Sequence, residues 1–167
     1  METTSQHLIP PGDGETVQIG PLGVRFMLDA GRTGGGFALV EHPIAPRGLA
    51  APLHTHAHED EYTYVLEGEV GVQVGDDVIS GRPGDLVAKP RGVPHAFWNA
   101  GDAPARVLEL ISPAGFERYF MELAPLLPPA RPEPDFEGLG RVREKYGLEM
   151  DMGSIERLTR EHGLAAR

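Results

Sequence analysis

Between Val17 and Pro113 the chain advances in short apolar or alternating runs, each cut off by turn formers, and this rhythm constrains the fold more than any other feature. Val24-Arg25-Phe26-Met27-Leu28 stops at Asp29-Ala30-Gly31, Tyr62 to Leu66 stops at Glu67-Gly68, and Val70 to Val74 stops at Gly75-Asp76-Asp77. Val78-Ile79, Leu86-Val87-Ala88, His95 to Asn99 and Arg106 to Ile111 continue the series. Strands this short, at this spacing, predict a sandwich or barrel. The 22 glycines and 16 prolines supply the turns that such a chain needs.

After Pro113 the texture changes. Phe116, Tyr119, Phe120 and Leu123 fall at i, i+3, i+4 and i+7, the apolar stripe of an amphipathic helix, with Ser112 as its expected N-cap. The stripe reads first as a helix packed on the sandwich, and alternatively as the wall or lid of a pocket. Leu127-Pro128-Pro129-Ala130-Arg131-Pro132-Glu133-Pro134 is a stiff, extended linker. Further helices are expected from Asp135 to Tyr146 and from Met152 to His162, stopped by Gly147 and Gly163. The expected division is an N-terminal arm over residues 1–15, a β-barrel over 16–113 and a helical extension over 114–167.

Composition removes several functions. A formal charge of −10, from 25 acidic against 15 basic side chains, argues against a nucleic-acid or anionic-membrane surface. The stretch from Ser154 to Gly163 resembles half of a helix-turn-helix, but its charge is mixed and it has no partner helix. No run reaches the ~18 apolar residues of a membrane span. The opening METTSQHLIPPGDGE lacks the basic and apolar regions of a secretory signal, so a cytoplasmic location is expected. At 167 residues, one domain burying roughly 70% of its unfolded surface is expected. With no cysteine, any metal must be held by nitrogen and oxygen.

The residues suited to that task are concentrated in His54-Thr55-His56-Ala57-His58-Glu59-Asp60-Glu61. Residues i and i+2 of a strand share a face, so His54 and His56 can reach one ion. A second cluster, Gly84, Pro90, Gly92, His95 and Asn99, lies downstream. The two stretches read G-x5-HxH-x4-E-x6-G and G-x5-PxG-x2-H-x3-N, with 15 residues between Gly68 and Gly84. They match both signatures of the cupin family in every defined position, and the chain resembles that family over roughly residues 45–112.

The resemblance implies an all-β double-stranded β-helix, a jelly-roll barrel here followed by C-terminal α-helices. It implies that His54, His56, Glu61 and His95 are metal ligands. Three imidazoles and one carboxylate suit one divalent transition metal, Fe, Mn, Ni, Co, Cu or Zn, better than the oxygen-loving Ca or Mg. His58 is expected at the rim, and Glu59 and Asp60 as solvated loop charges or acceptors for an imidazole N–H. Gly68 and Gly84 are expected to serve turns, and Pro90 and Gly92 to shape the bend before His95. Alternation puts Thr63 and Val65 on the face of Glu61, and Phe97 on that of His95, so these three are expected to line a substrate pocket. Trp98 would face outward, into a helix or a subunit contact. His7, His42 and His162 carry no signal of their own.

Within the family the chain is similar to bacterial single-domain cupins described as quercetin 2,3-dioxygenase-like, through Pro90 to Asn99 and Ser112-Pro113-Ala114-Gly115-Phe116-Glu117. That similarity implies a metal-dependent dioxygenase for a small phenolic or enolisable, flavonol-like substrate, with O2 as co-substrate and Glu61 as ligand and base in turn. The alternatives are a redox-neutral isomerase or cyclase using the same metal, and a non-catalytic cupin that binds or senses a small molecule. Jelly-roll edges and apolar outer faces further suggest a homodimer.

Overall fold

The computed structural model describes residues 7–165, so residues 1–6 of the expected arm and 166–167 of the extension lie outside the described residues. Among the described residues, eleven strands form two antiparallel sheets. The six-stranded sheet runs in the order β1 (Thr16–Ile19), β2 (Leu22–Leu28), β3 (Ala38–Ile44), β10 (Ala105–Ser112), β5 (Asp60–Glu67) and β8 (Leu86–Lys89). The five-stranded sheet runs β11 (Leu148–Met150), β4 (Leu49–His56), β9 (His95–Trp98), β6 (Val70–Val74) and β7 (Asp77–Gly81). The expected all-β jelly roll is therefore present, its two sheets facing each other across one core.

Alternation decides what enters that core. Ala105, Val107, Glu109 and Ile111 of β10 point inward, as do Glu61, Thr63 and Val65 of β5 and Ala38, Val40, His42 and Ile44 of β3. Buried Val24, Val40, Val65, Val72 and Val107 fill the space between the sheets. Each stabilises the fold by roughly 1.5–3 kcal/mol relative to an exposed side chain. Gly68, Gly84 and Gly92 all adopt left-handed backbone, with φ of 76°, 97° and 74°, which suits the turn and bend positions assigned to them.

Short helix α1 (Ala30–Thr33) follows β2, and the C-terminal part adds α2 (Glu117–Leu123), α3 (Phe136–Lys145) and α4 (Ser154–His162). α4 covers the outer face of β4 and β9, where Leu158 and Leu164 pack on Leu49, Ala96 and Trp98. Trp98 does face away from the barrel interior, and its indole stacks on His162 with ring centroids 4.0 Å apart. Ser154 joins α4 to the sheet, accepting from the Leu53 amide at 2.9 Å and donating to the Asp151 carbonyl at 2.7 Å. Among the described residues, no helix is long and apolar enough to cross a membrane.

One local expectation needs correction. Ser112 is the last residue of β10, paired opposite Asp60, and its hydroxyl donates to the Gly36 carbonyl, so it caps no helix. α2 starts without a side-chain cap, and the buried Glu117 carboxylate instead accepts from the amides of Gly115 and Ala30. β11 is an additional element beyond those expected from the sequence, a strand between the two expected helices. Three residues are too few to show a period, and Leu148-Glu149-Met150 becomes a strand because the outer edge of β4 offers it hydrogen bonds.

Candidate metal centre and its cavity

β11 lies opposite the histidine pair: Leu148 faces His56 and Met150 faces His54 across the ladder. On the other side of β4, His54 is directly opposite His95 of β9. The five-stranded sheet thus presents three imidazoles, and Glu61 on β5 meets them from the facing sheet. One ligand atom from each of His54, His56, Glu61 and His95 lies within 4.8 Å of the others, and all four residues are buried.

Local bonds fix how the imidazoles point. His54 Nδ1 lies 2.7 Å from the Pro52 carbonyl and His95 Nδ1 lies 3.1 Å from that of Val93. A carbonyl only accepts, so in both rings Nδ1 carries the proton and Nε2 the lone pair. Burial, reinforced for His54 by the neighbouring imidazoles His95 and His56, holds the pKa of His54 well below 6.5 and also lowers that of His95. Burial alone would raise the Glu61 pKa, but the Lys89 ammonium and the imidazoles of His56 and His95 pull it well below the usual carboxylate range.

The donor set fits a divalent cation. His95 Nε2 stands 3.1 Å from Glu61 Oε2, and a lone pair facing a carboxylate oxygen repels it unless a proton or cation lies between. His56 is buried with neither ring nitrogen hydrogen-bonded, its Nε2 3.5 Å from Glu61 Oε1. Buried polar groups without partners are rare, and a cation shared by these atoms would satisfy them together. His56 Nδ1 lies 3.4 Å from Glu59 Oε2, so the buried Glu59 carboxylate stands beside the His56 ring rather than as a solvated loop charge. Asp60 is tied to Arg91, whose guanidinium lowers its pKa to about 2, and His58 is exposed.

Two groups that the sequence did not single out complete the charge pattern. Lys89, opposite Glu61 in the β5–β8 ladder, is fully buried, its Nζ 3.0 Å from both Glu61 Oε2 and Glu109 Oε2. Thr63, opposite Glu109, donates to the same Glu109 oxygen at 2.8 Å. The fully buried position of Lys89 shows only in the fold, since Leu-Val-Ala-Lys reads as an ordinary strand ending in a surface lysine. Burial pushes the Glu109 pKa up to about 7 against the downward pull of Lys89.

The cluster opens on a cavity of about 360 Å³. Of the three residues expected to line a substrate pocket, Phe97 stands in the wall of this cavity, whereas Thr63 is held in the Glu109 bond and Val65 lies in the core. The helical extension supplies much of the wall through Phe116, Tyr119, Phe120, Leu123 and Leu139. The aromatic stripe therefore packs on the sandwich and forms the pocket wall at once. Phe116 meets the His56 ring edge-on at 4.3 Å.

His42 also lines this cavity, and burial is the main cause of a pKa lowered from 6.5 to about 4. A histidine buried as the neutral form contributes stability that is full above pH 6.5 and lost as pH falls towards 4. The loss over that window is expected to approach ~3 kcal/mol. Urea unfolding of metal-free protein should show His42→Gln losing less stability than wild type between these values, and equal losses would refute the buried neutral ring.

Residues 41–111 match the Cupin_2 family model, described as a cupin domain. Germin-like protein subfamily 2 member 1 of Arabidopsis thaliana is 36% identical over 110 residues, 62% of this chain and 50% of that protein. Tetracenomycin polyketide synthase protein TcmJ of Streptomyces glaucescens is 34% identical over 83 residues, 50% of this chain and 54% of its own. Among solved structures, the polyketide cyclase RemF from Streptomyces resistomycificus aligns with a TM-score of 0.56 at 25% identity, covering 63% of this chain and 78% of that one. The chain spans about half the length of the two curated relatives. The matched segment holds the paired signatures and the histidine–glutamate cluster, and over residues 41–111 the chain is similar to cupin domains.

Proposed function

We propose that the protein is a metal-dependent enzyme for a small aromatic molecule with a phenolic or enolisable oxygen, and that its first reaction to test is flavonol-type dioxygenation. The carrying observation is the cavity itself, whose apolar and aromatic wall ends at His54, His56, Glu61 and His95. These four would hold one divalent ion of the Fe, Mn, Ni, Co, Cu or Zn group. Such an ion supplies Lewis acidity towards a substrate hydroxyl and, if redox-active, electron transfer.

The protein's own residues do the rest. Phe97, Phe116 and Phe120 grip a ring system and keep water from it. Glu61, held ionised beside Lys89, accepts the hydroxyl proton at its carboxylate as the substrate arrives. Lys89 keeps that carboxylate in place through both states.

The test is protein loaded with Fe, Mn, Co or Ni, given quercetin in an oxygen electrode. The expected result is oxygen uptake equimolar with flavonol loss. No uptake with any of the four removes the dioxygenase reading. A redox-neutral cyclase is the second reading, supported by the similarity to the polyketide cyclase RemF, and it predicts turnover that continues under argon. Binding without product under either atmosphere would leave the sensing reading.

We also infer a homodimer, supported by the exposed Tyr62, Tyr64 and Leu86 on the outer face of the six-stranded sheet. Light scattering at micromolar concentration should give twice the chain mass, and a monomer mass would reject it.

A further inference from the structure

Outside the four-residue cluster, the wall of the same cavity carries two acceptor atoms with no hydrogen-bond partner among the described residues. One is Glu109 Oε1, which is buried and unbonded while its sister oxygen takes both Lys89 and Thr63. The other is His42 Nε2. His42 Nδ1 lies 2.9 Å from the Gly23 carbonyl, which can only accept, so Nδ1 carries the proton and Nε2 the lone pair. The two residues sit on the inward faces of neighbouring strands. His42 is opposite Val107, two residues from Glu109, which makes them diagonal neighbours in the β3–β10 ladder. Diagonal pairs have Cα atoms roughly 7–8 Å apart, close enough for two side chains to serve one ligand. Both residues line the cavity, and the ring centroids of Phe97 and Phe120 lie 6.1 and 5.3 Å from that of His42.

The donors in this corner are already committed. Lys89 is shared between two carboxylates and the Thr63 hydroxyl is given to Glu109. What remains on offer to a ligand at His42 and Glu109, as distinct from the part of the wall that carries Tyr119 and Arg143, is acceptors beside aromatic rings, and a site of that kind discriminates strongly against a ligand without a donor.

We propose that His42 Nε2 and Glu109 Oε1 form a donor-reading subsite, which accepts hydrogen bonds from hydroxyls that an aromatic ligand carries beyond the one aimed at the histidine–glutamate cluster. The ligand class is then a polyhydroxylated aromatic, and its methyl ethers are rejected. The inference rests on the reading of this cavity as the site of an aromatic substrate, but it concerns binding and needs neither metal nor turnover.

The test is calorimetric titration of metal-free, full-length protein at pH 8, above the value of about 7 to which burial raises the Glu109 pKa so that Oε1 is an acceptor, with 2,7-dihydroxynaphthalene and with 7-methoxy-2-naphthol, which lacks one donor. Wild type should bind the diol about tenfold more tightly, the effect of one unmet buried acceptor. In Glu109→Gln, the amide oxygen stays with the Lys89 and Thr63 donors, so the amide NH2 turns to the cavity in place of Oε1. The diol preference should then vanish or reverse. His42→Phe keeps a ring and removes the acceptor, and it should cut the preference while changing ether affinity less than about threefold.

Equal binding of the two probes by wild type, or no binding of the diol, overturns the proposal without reference to any variant. So does a preference that survives in both variants. The proposed catalysis fails separately: a preserved diol preference with no turnover of quercetin in any atmosphere sinks that reading and leaves the subsite standing. Turnover with no diol preference does the reverse.

Discussion

Replacing Lys89 with methionine should lower the unfolding free energy of the metal-free protein by about 3–5 kcal/mol, the cost of leaving a buried charge without its partner. Methionine matches the straight stem that now lies fully buried beside Phe97, where Nζ stands 4.8 Å from the ring centroid, so packing changes little. The loss comes from Glu61 and Glu109, two buried carboxylates that both rely on this ammonium. Glu109 already has its pKa raised to about 7, and without Lys89 it moves further up and takes a proton. Protonation removes part of the penalty, so the destabilisation should be larger at pH 8 than at pH 5. Adding Glu109→Gln to Lys89→Met should recover stability at pH 8, because one of the stranded charges is gone. Urea unfolding at both pH values checks this. A loss independent of pH and unrelieved by the second substitution would mean that Lys89 acts by shape alone.

That network marks the boundary of what could be read from the chain. The barrel was legible because its strands are short, alternate cleanly and are cut by Gly and Asp-rich turns. The histidine–glutamate cluster was legible because i and i+2 parity and fixed spacings survive without any three-dimensional information. Lys89 and Glu109 were hidden because a lysine or glutamate on a strand reads as its solvated face. Only the registers Glu61 to Lys89 and Thr63 to Glu109 show them turned inward together. His42 was hidden for the same reason, an isolated histidine whose meaning depends on β3 lying beside β10. β11 could not be found from three residues, since its strand character is lent by the edge of β4. Thr63 and Val65 show the limit of alternation: parity gives the face of a sheet, and depth within the barrel decides whether that face reaches the cavity.

Three substitutions around the cluster should separate ligand, support and rim. His95→Ala removes one of the three nitrogen donors and should weaken zinc or manganese binding by at least about hundredfold, since losing a partner beyond the ligands already costs roughly 10–100-fold. Glu59→Ala removes the carboxylate 3.4 Å from His56 Nδ1 and should fall in that lower range. His58→Ala, at an exposed position, should leave binding unchanged. Elemental analysis after purification without a metal-affinity column, followed by titration of the stripped proteins, gives the three affinities. Equal loss in His95→Ala and His58→Ala would show that the ligand set is wrong. Stability supplies a second readout that affinity alone lacks. In stripped protein His95 Nε2 faces Glu61 Oε2 across 3.1 Å, two acceptors in opposition, so removing the ring relieves a repulsion even as it opens space. The melting temperature of stripped His95→Ala should therefore stay close to that of stripped wild type. Added metal should raise the melting temperature of wild type, because it binds only the folded state, and should raise that of the variant far less. A variant that melts much lower even when both proteins are stripped would instead make His95 a packing residue of the core, with metal binding a consequence of its place there.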